Sequence, residues 1–422
     1  MRSLRIIAVL LVSLSVASRA LAQADAVTFW NEVTVQAVTA GRPGPAGLFD
    51  IALVQTAVHD AVQAVEGNYE PYAYADARRR GLGTAAAAVA AASRRTLVLL
   101  YPAQQAALDS TYDTYVASHG LTGDPALETG EAAAKMLFEQ HYRATVPAEP
   151  FFGRTIVGEW RSSTPMAAVF AASIEPFTLR EASQFRPEPP LPLTSAQYLR
   201  EYEEVKRLGA ASAHPSAGTE IAHFWSVNYV TQWNEALRDV AKRHVTRTGD
   251  RARLFALAGL SAADAFIAVW ECKIHYNYWR PSTAIRQGNQ DGNDKTSGDD
   301  AWTPLLADPP YPDYVSGANG LTGAFTGALQ LFFGRDDVPF TVKTTSPLVT
   351  NPARHYTRIS DVAREVVEAR IYLGIHFRSA DEEGRRLGNR VAQWTFTKFL
   401  RPIRGASHVR RDAHRGGPCT EL

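Results

Sequence analysis

The chain has 422 residues and a mass of 46.1 kDa, with 45% hydrophobic and 21% charged residues. That composition excludes a disordered or collagen-like protein, and the length suffices to bury a full core without staples. Lys and Arg number 44 against 43 Asp and Glu, a formal net charge of +1, which excludes a general nucleic-acid binder with a broadly basic surface. Chemistry that needs positive charge must gather it locally.

Residues 1–22 read as a secretory signal. Arg2 and Arg5 form a positive head, Ile6 to Ala17 an apolar stretch, and Ala20-Leu21-Ala22 a small-x-small cleavage site before Gln23. A short membrane anchor is the alternative, but about 12 apolar residues are too few to cross a hydrocarbon layer of ~30 Å. Cleavage leaves a slightly acidic product, secreted or periplasmic. No later run is expected to span a membrane.

Helical periodicity then dominates, with apolar residues at i, i+3 and i+4 over 27–39, 46–65, 84–100, 104–118, 126–143, 196–209, 218–242, 251–279, 319–333, 359–373 and 380–400. Pro and Gly clusters at 41–45, 187–192 and 309–312 punctuate these segments. Neither side of the 187–192 run reads as self-sufficient. The expected fold class is therefore all-α, a helical bundle forming one domain over 23–422 without internal repeats. The tail beyond Arg401 is basic and reads as a mobile or loosely docked terminus, with contact to an acidic surface as the alternative. Cys272 and Cys419 are the two cysteines, and either a bridge or two unpaired thiols fits an oxidising compartment.

Three segments carry chemistry-bearing residues. The first, Trp270-Glu271-Cys272-Lys273-Ile274-His275-Tyr276-Asn277-Tyr278-Trp279-Arg280-Pro281, closes a long apolar helix. Lys273 and Arg280 are seven residues apart, nearly two turns, so one continuous helix would project both from one face. In the second, Asp313-Tyr314-Val315-Ser316-Gly317-Ala318-Asn319-Gly320 turns from a loop into a helix N-terminus. Unpaired N–H groups there suit an anion, and Ser316 can cap the helix. The third holds Arg370 and His376. A helix ending near Gly374, with Ser379-x-x-Glu382 as a capping box for the next, would leave His376 in a short connection. Each segment alone also reads as a solvated face, a plain cap or a structural histidine.

Their order and spacing together, Lys-x6-Arg-Pro, a Ser-Gly loop and Arg-x5-His, resemble the vanadium-dependent haloperoxidase and type 2 phosphatidic acid phosphatase superfamily. The resemblance covers about residues 250–400. It is closest to the soluble bacterial haloperoxidase-like branch, through Tyr276-Asn277-Tyr278-Trp279-Arg280-Pro281, Gly374-Ile375-His376-Phe377-Arg378, Phe224-Trp225 and His59-Asp60-Ala61. It implies a cage for vanadate, or for phosphate. Lys273, Arg280 and Arg370 would supply charge, and Ser316 and the Gly317 N–H neutral hydrogen bonds. His376 would bond the metal in a peroxidase or attack phosphorus in a phosphatase. Asp381 is the expected partner of the imidazole, and Trp270 and Tyr311 stand where peroxidases carry aromatics near the halide.

The sequence departs from the family at Ala318, where Ser-Gly-His is usual and the histidine handles protons. His275, Asp313 and His355 are the candidate substitutes. A second departure is Ala369, where serine is common. The leading expectation is an exported vanadate-dependent peroxidase acting with hydrogen peroxide on a halide or an organic substrate, impaired by Ala318. The alternatives are a phosphatase with His376 as nucleophile and an oxyanion-binding protein without turnover. The sequence leaves a monomer and a homo-oligomer both open.

Overall fold

The computed structural model describes residues 26–42, 44–142 and 148–403. The expected signal segment, Cys419 and the basic tail lie outside these residues. Thirteen α-helices form in the described chain. They are α1 (26–41), α2 (Gly47–Glu66), α3 (Ala85–Leu100), α4 (Gln105–Ser118), α5 (Ala126–His141), α6 (Ala196–Leu208) and α7 (Ala217–Phe224). Then come α8 (Tyr229–His244), α9 (Thr248–Tyr276), α10 (Pro281–Arg286), α11 (Gly317–Phe333), α12 (Ile359–Tyr372) and α13 (Arg378–Lys398). The architecture is all-α. One short antiparallel hairpin, β1 (Phe340–Lys343) with β2 (Ala353–Tyr356), interrupts it, with Phe340 opposite Tyr356.

The centre is α9, a 29-residue helix buried on nearly every face. It is long and apolar enough to cross a membrane, contrary to the expectation from sequence, yet its whole apolar window is buried inside the bundle. On one side α2 packs along it, backed by α3 and α5, and on the other lie α11 and α13. One apolar cluster runs through these layers from Ala26 to Leu400. Cys272 sits within it, fully buried. Helices α11 and α13 cross almost backbone to backbone. A Cβ on Gly388 would fall 2.0 Å from the Gly320 carbonyl oxygen and one on Gly384 2.5 Å from that of Ser316. Only glycine permits this approach.

Three local expectations are corrected. The periodic stretch 218–242 is two helices, because the Asn228 side chain accepts from the Val230 N–H at 2.9 Å and caps a new helix. Helix α9 stops at Tyr276, where Asn277 takes a left-handed conformation (φ 44°). Lys273 and Arg280 therefore do not share a helix face. Ser379 and Glu382 form no capping box. Instead Ser379 donates its N–H (2.9 Å) and hydroxyl (2.7 Å) to Glu201 of α6, whose carboxylate serves the N-terminus of α13 from outside.

Two buried carboxylates pin irregular chain onto the helices. Asp60 of α2 accepts from the N–H groups of Tyr72, Ala73 and Tyr74 at 2.7, 2.8 and 2.7 Å. Asp264 of α9 accepts from Phe177, Thr178 and Leu179 N–H at 2.7, 2.7 and 3.1 Å, and from the Thr178 hydroxyl at 2.6 Å. Each lets the backbone of a loop be buried with its donors satisfied. Asp264→Asn turns an amide NH₂ toward this set of donors. It is expected to cost about 1–3 kcal/mol, the penalty for an unsatisfied buried group, read as a lowered urea midpoint at unchanged slope.

Candidate active site

Five separate stretches of chain meet at one end of α9. Lys273, in its last turn, is fully buried, and its Nζ donates to the carbonyl oxygens of Pro312 (2.7 Å) and Asp313 (2.9 Å). Past Asn277 the chain turns back, and Arg280 becomes the residue that precedes α10. Its Nε donates to the Tyr311 carbonyl at 2.9 Å and its Nη1 to that of Ile375 at 2.6 Å. The guanidinium also lies over the Tyr311 ring, 4.9 Å from the centroid. Reversal of the chain thus achieves what a shared helix face would have done. Both cations reach the same loop, 311–315.

That loop ends at Ser316, the N-cap of α11, whose hydroxyl accepts from the Asn319 N–H. The Ser316 N–H donates to Ala380 at 2.8 Å, so the close α11–α13 crossing fixes where α11 begins. Arg370 occupies the last turn of α12. Its Nη1 lies 3.5 Å from the Trp225 carbonyl oxygen, and Tyr229, whose hydroxyl donates to that carbonyl at 2.8 Å, sits beside the guanidinium. Glu365, one helical turn earlier in α12, anchors the Trp225 indole N–H at 2.8 Å. It also accepts from the Tyr356 hydroxyl at 2.7 Å and from Arg354 at 3.2 Å. The left-handed Gly374 (φ 77°) then turns the chain out of α12, leaving His376 in the connection to α13, as expected.

His376 is buried, and its partner is Asp313 rather than Asp381. Nδ1 lies 2.6 Å from Asp313 Oδ1. The Arg280 guanidinium lies against the same ring, with Nη1 3.5 Å from Nδ1 and 3.3 Å from Nε2, and 3.7 Å from Asp313 Oδ1. Asp381 instead accepts from the Asn319 amide at 2.8 Å and sits beside the Ser316 hydroxyl. Its place in the first turn of α13 aims it at the N-terminus of α11, whereas Asp313 lies on the loop that faces the imidazole. From sequence alone Asp313 is only a candidate proton handler. Nothing in a separation of 63 residues signals the pairing.

Burial and charge set the protonation states. Burial, then the Arg280, Arg370 and Lys273 charges, hold the imidazole of His376 well below its ordinary range, so it is neutral near pH 7. Burial and then Arg280 likewise depress the ammonium of Lys273. Asp313 is pushed up to about 7 by burial, with Arg280 and Lys273 pulling it back. Burial also raises Asp381 well above the usual carboxylate range. A neutral ring with its Nδ1–H donated to Asp313 keeps a lone pair on Nε2.

Beside this cluster opens a cavity of about 480 Å³, lined in part by Arg370, Gly317, Ala318, Trp270, Tyr311 and Ile375. Trp270 and Tyr311 pack against each other on this wall, with ring centroids 5.2 Å apart. Among the described residues the lining holds no histidine and no carboxylate. His275 is exposed on α9, and His355 is exposed on the hairpin, paired with Thr341 at 2.9 Å. Neither lines the cavity beside Ala318.

A family model described as the VCPO second helical-bundle domain matches residues 253–405. The vanadium chloroperoxidase of Curvularia inaequalis is 26% identical over 184 residues, 33% of this chain and 29% of that protein, so the match spans under a third of this relative's length. The crystal structure of the first bacterial vanadium-dependent iodoperoxidase superposes with a TM-score of 0.71 at 23% identity, covering 89% of this chain and 97% of that one. The apo and holo forms of a bacterial vanadium-dependent chloroperoxidase give 0.63 and 0.64 at 17% identity, over 84% of this chain and 92% of each. The structural likenesses establish the fold. The family model lies over the segment that carries Lys273, Arg280, Ser316, Arg370 and His376, and it is to vanadium haloperoxidases that this segment is similar.

Proposed function

We propose that this chain is an exported vanadate-dependent peroxidase, which uses hydrogen peroxide to oxidise a halide or an organic substrate. The observation that carries the reading is the gathering of Lys273, Arg280 and Arg370 around a neutral His376 held by Asp313. The donor set fits a small oxyanion. Arg280 Nη2 and Arg370 Nε are buried without a hydrogen-bond partner, and both suit paired negative oxygens. Lys273, Arg280, Ser316, Gly317 and Arg370 would hold vanadate, with His376 as the protein ligand of the metal. Bound there, vanadate supplies a Lewis-acid centre that activates peroxide. Asp313 fixes the tautomer and orientation of the imidazole, the usual task of a partner behind a ligating histidine. The three cations neutralise the anion inside a site that excludes most water.

A phosphatase could use the same cage, but its leaving group needs an acid at the cavity, and the described lining offers none. The names of the similar chloroperoxidases and iodoperoxidase favour the peroxidase. The test is monochlorodimedone bromination by purified protein with vanadate, peroxide and bromide. Turnover that requires vanadate is expected. Hydrolysis of p-nitrophenyl phosphate in its place would make the phosphatase the better reading, and vanadate binding with neither activity a non-catalytic oxyanion protein.

His376→Ala should abolish vanadate-dependent turnover. Asp313→Asn should weaken vanadate binding about 10- to 100-fold, the usual range for loss of such a partner, measured by equilibrium dialysis. Wild-type affinity in both variants would remove the site assignment. Ala318 faces open cavity, so Ala318→His has room for the ring. It is expected to raise the bromination rate by ~10²–10⁴, the span of general acid–base help, and an unchanged rate would place proton handling elsewhere. Export with removal of residues 1–22 predicts a mature chain beginning at Gln23, checked by N-terminal sequencing of the protein recovered outside the cytoplasm.

A further inference from the structure

We infer that the cavity beside the cationic cluster binds a largely apolar organic molecule that bears a polar group, and that this molecule is the substrate oxidised. The identity of the reaction rests on the peroxidase reading; the binding does not. Size is the first argument. About 480 Å³ falls within the ~300–1,000 Å³ of pockets that bury drug-sized ligands, and a lone halide would leave nearly all of it unfilled.

Chemistry of the walls is the second. Val227, Val230, Phe266 and Leu321 present apolar surface from α8, α9, α11 and the break before α8. The Trp270 indole N–H donates away to the Ala167 carbonyl at 2.9 Å, so its ring meets the cavity as an apolar surface. The polar side chains of the lining are few: those of Arg370, Tyr229, Ser226 and Asn228, three of them from the short 226–229 stretch, and the Tyr311 phenol. Asn228 uses its Oδ1 to cap α8, which leaves its NH₂ available to an oxygen-bearing group.

Backbone strain supplies a third argument. Ala168, also on the wall, adopts a left-handed conformation (φ 55°, ψ 29°), a cost of roughly 1–2 kcal/mol for a residue with a Cβ. Bonds from Ala167 N–H to the Pro310 carbonyl (2.9 Å) and from Trp270 to the Ala167 carbonyl hold the segment in place. Strain maintained by surrounding contacts is characteristic of ligand-shaped walls. Ala318, with only a methyl group, leaves space where the histidine expected from the resemblance would project. With peroxide as oxidant, the net step transfers one oxygen atom to the substrate. Two electrons leave the substrate, and the other peroxide oxygen departs as water.

The probe is 2-naphthol, titrated calorimetrically into vanadate-free protein, with vanadate binding to wild type measured separately by dialysis. Binding is expected in the wild type, weakened at least tenfold by Leu321→Trp, which fills the cavity, and by Ala307→Trp at its exposed rim. The rim variant decides the matter should the buried one fail to fold. Absence of naphthol binding, with vanadate still bound, overturns this inference and leaves the peroxidase reading standing. Naphthol binding without vanadate binding supports the pocket and sinks the peroxidase instead. Equal naphthol affinity in wild type and Ala307→Trp places the ligand elsewhere and overturns the inference.

Discussion

Three cationic side chains are buried within mutual reach at one end of α9, and the surrounding structure is arranged to make that tolerable. In a low-dielectric interior like charges at such range repel by several kcal/mol, and each has lost its hydration. The depressed ammonium of Lys273, with burial and Arg280 as its two leading causes, is the signature of that cost. Apart from the His376 ring, which lies against Arg280, the direct hydrogen-bond acceptors are carbonyl oxygens, those of Tyr311, Pro312, Asp313, Ile375 and Trp225, and the Asp313 carboxylate stands 3.7 Å from Arg280. Carbonyls solvate a cation without cancelling its charge. A group with several negative oxygens is the natural complement, and the unpartnered Arg280 Nη2 and Arg370 Nε are where it would dock.

Helix termini carry much of the arrangement. Lys273 and Arg370 both lie in last turns, of α9 and α12, where the negative end of the helix dipole favours a cation. Helix α11 presents the opposite end to the same place, and its first N–H groups favour an anion. Three helices therefore point ends of suitable sign at one point. This works only because α11 begins where it does. The Ser316 N–H bond to Ala380 and the glycine-lined α11–α13 crossing fix that register. A residue with a side chain at Gly388 or Gly384 would force the two helices apart and move Ser316 and Asp381 with them.

Much of this was legible in the residues themselves. Helix spans in the core followed the apolar period to within a few residues, because burial on one face is what that period encodes. Lys273, Arg280, Ser316, Arg370 and His376 were singled out through the family resemblance, and the fold brings their side chains to one end of α9. What escaped the sequence were interactions that depend on where distant chain arrives. The break at 225–228 is a case in point. Its apolar periodicity is continuous, and only the local capping by Asn228 divides it. Yet that break frees the Trp225 carbonyl to meet Arg370. The choice of Asp313 over Asp381 likewise turns on which loop faces the imidazole, and periodicity carries no information about that. The hairpin escaped for a simpler reason, since four-residue strands give too short a pattern to read.

On the proposed peroxidase reading, Ala318 separates two properties that the family resemblance leads one to expect together. Holding an oxyanion requires fixed donors, and these are in place. Moving protons requires a group that titrates near the working pH and reaches the reacting atoms. His376 cannot serve, because burial and three cations keep it neutral. Asp313 is committed to the ring of His376, and Asp381 to Asn319 and Ser316. Tyr229 is raised to about 12 by burial and donates its proton to the Trp225 carbonyl. Protons must then reach the cavity from solvent through its mouth, where Leu306 is 37% exposed. A slow supply of that kind disfavours rapid generation of a free oxidised halide. It is far less damaging when the molecule to be oxidised is retained in the pocket between encounters with peroxide. On that same reading, the missing acid and the space left at Ala318 are one change with two consequences, and both favour a bound organic substrate.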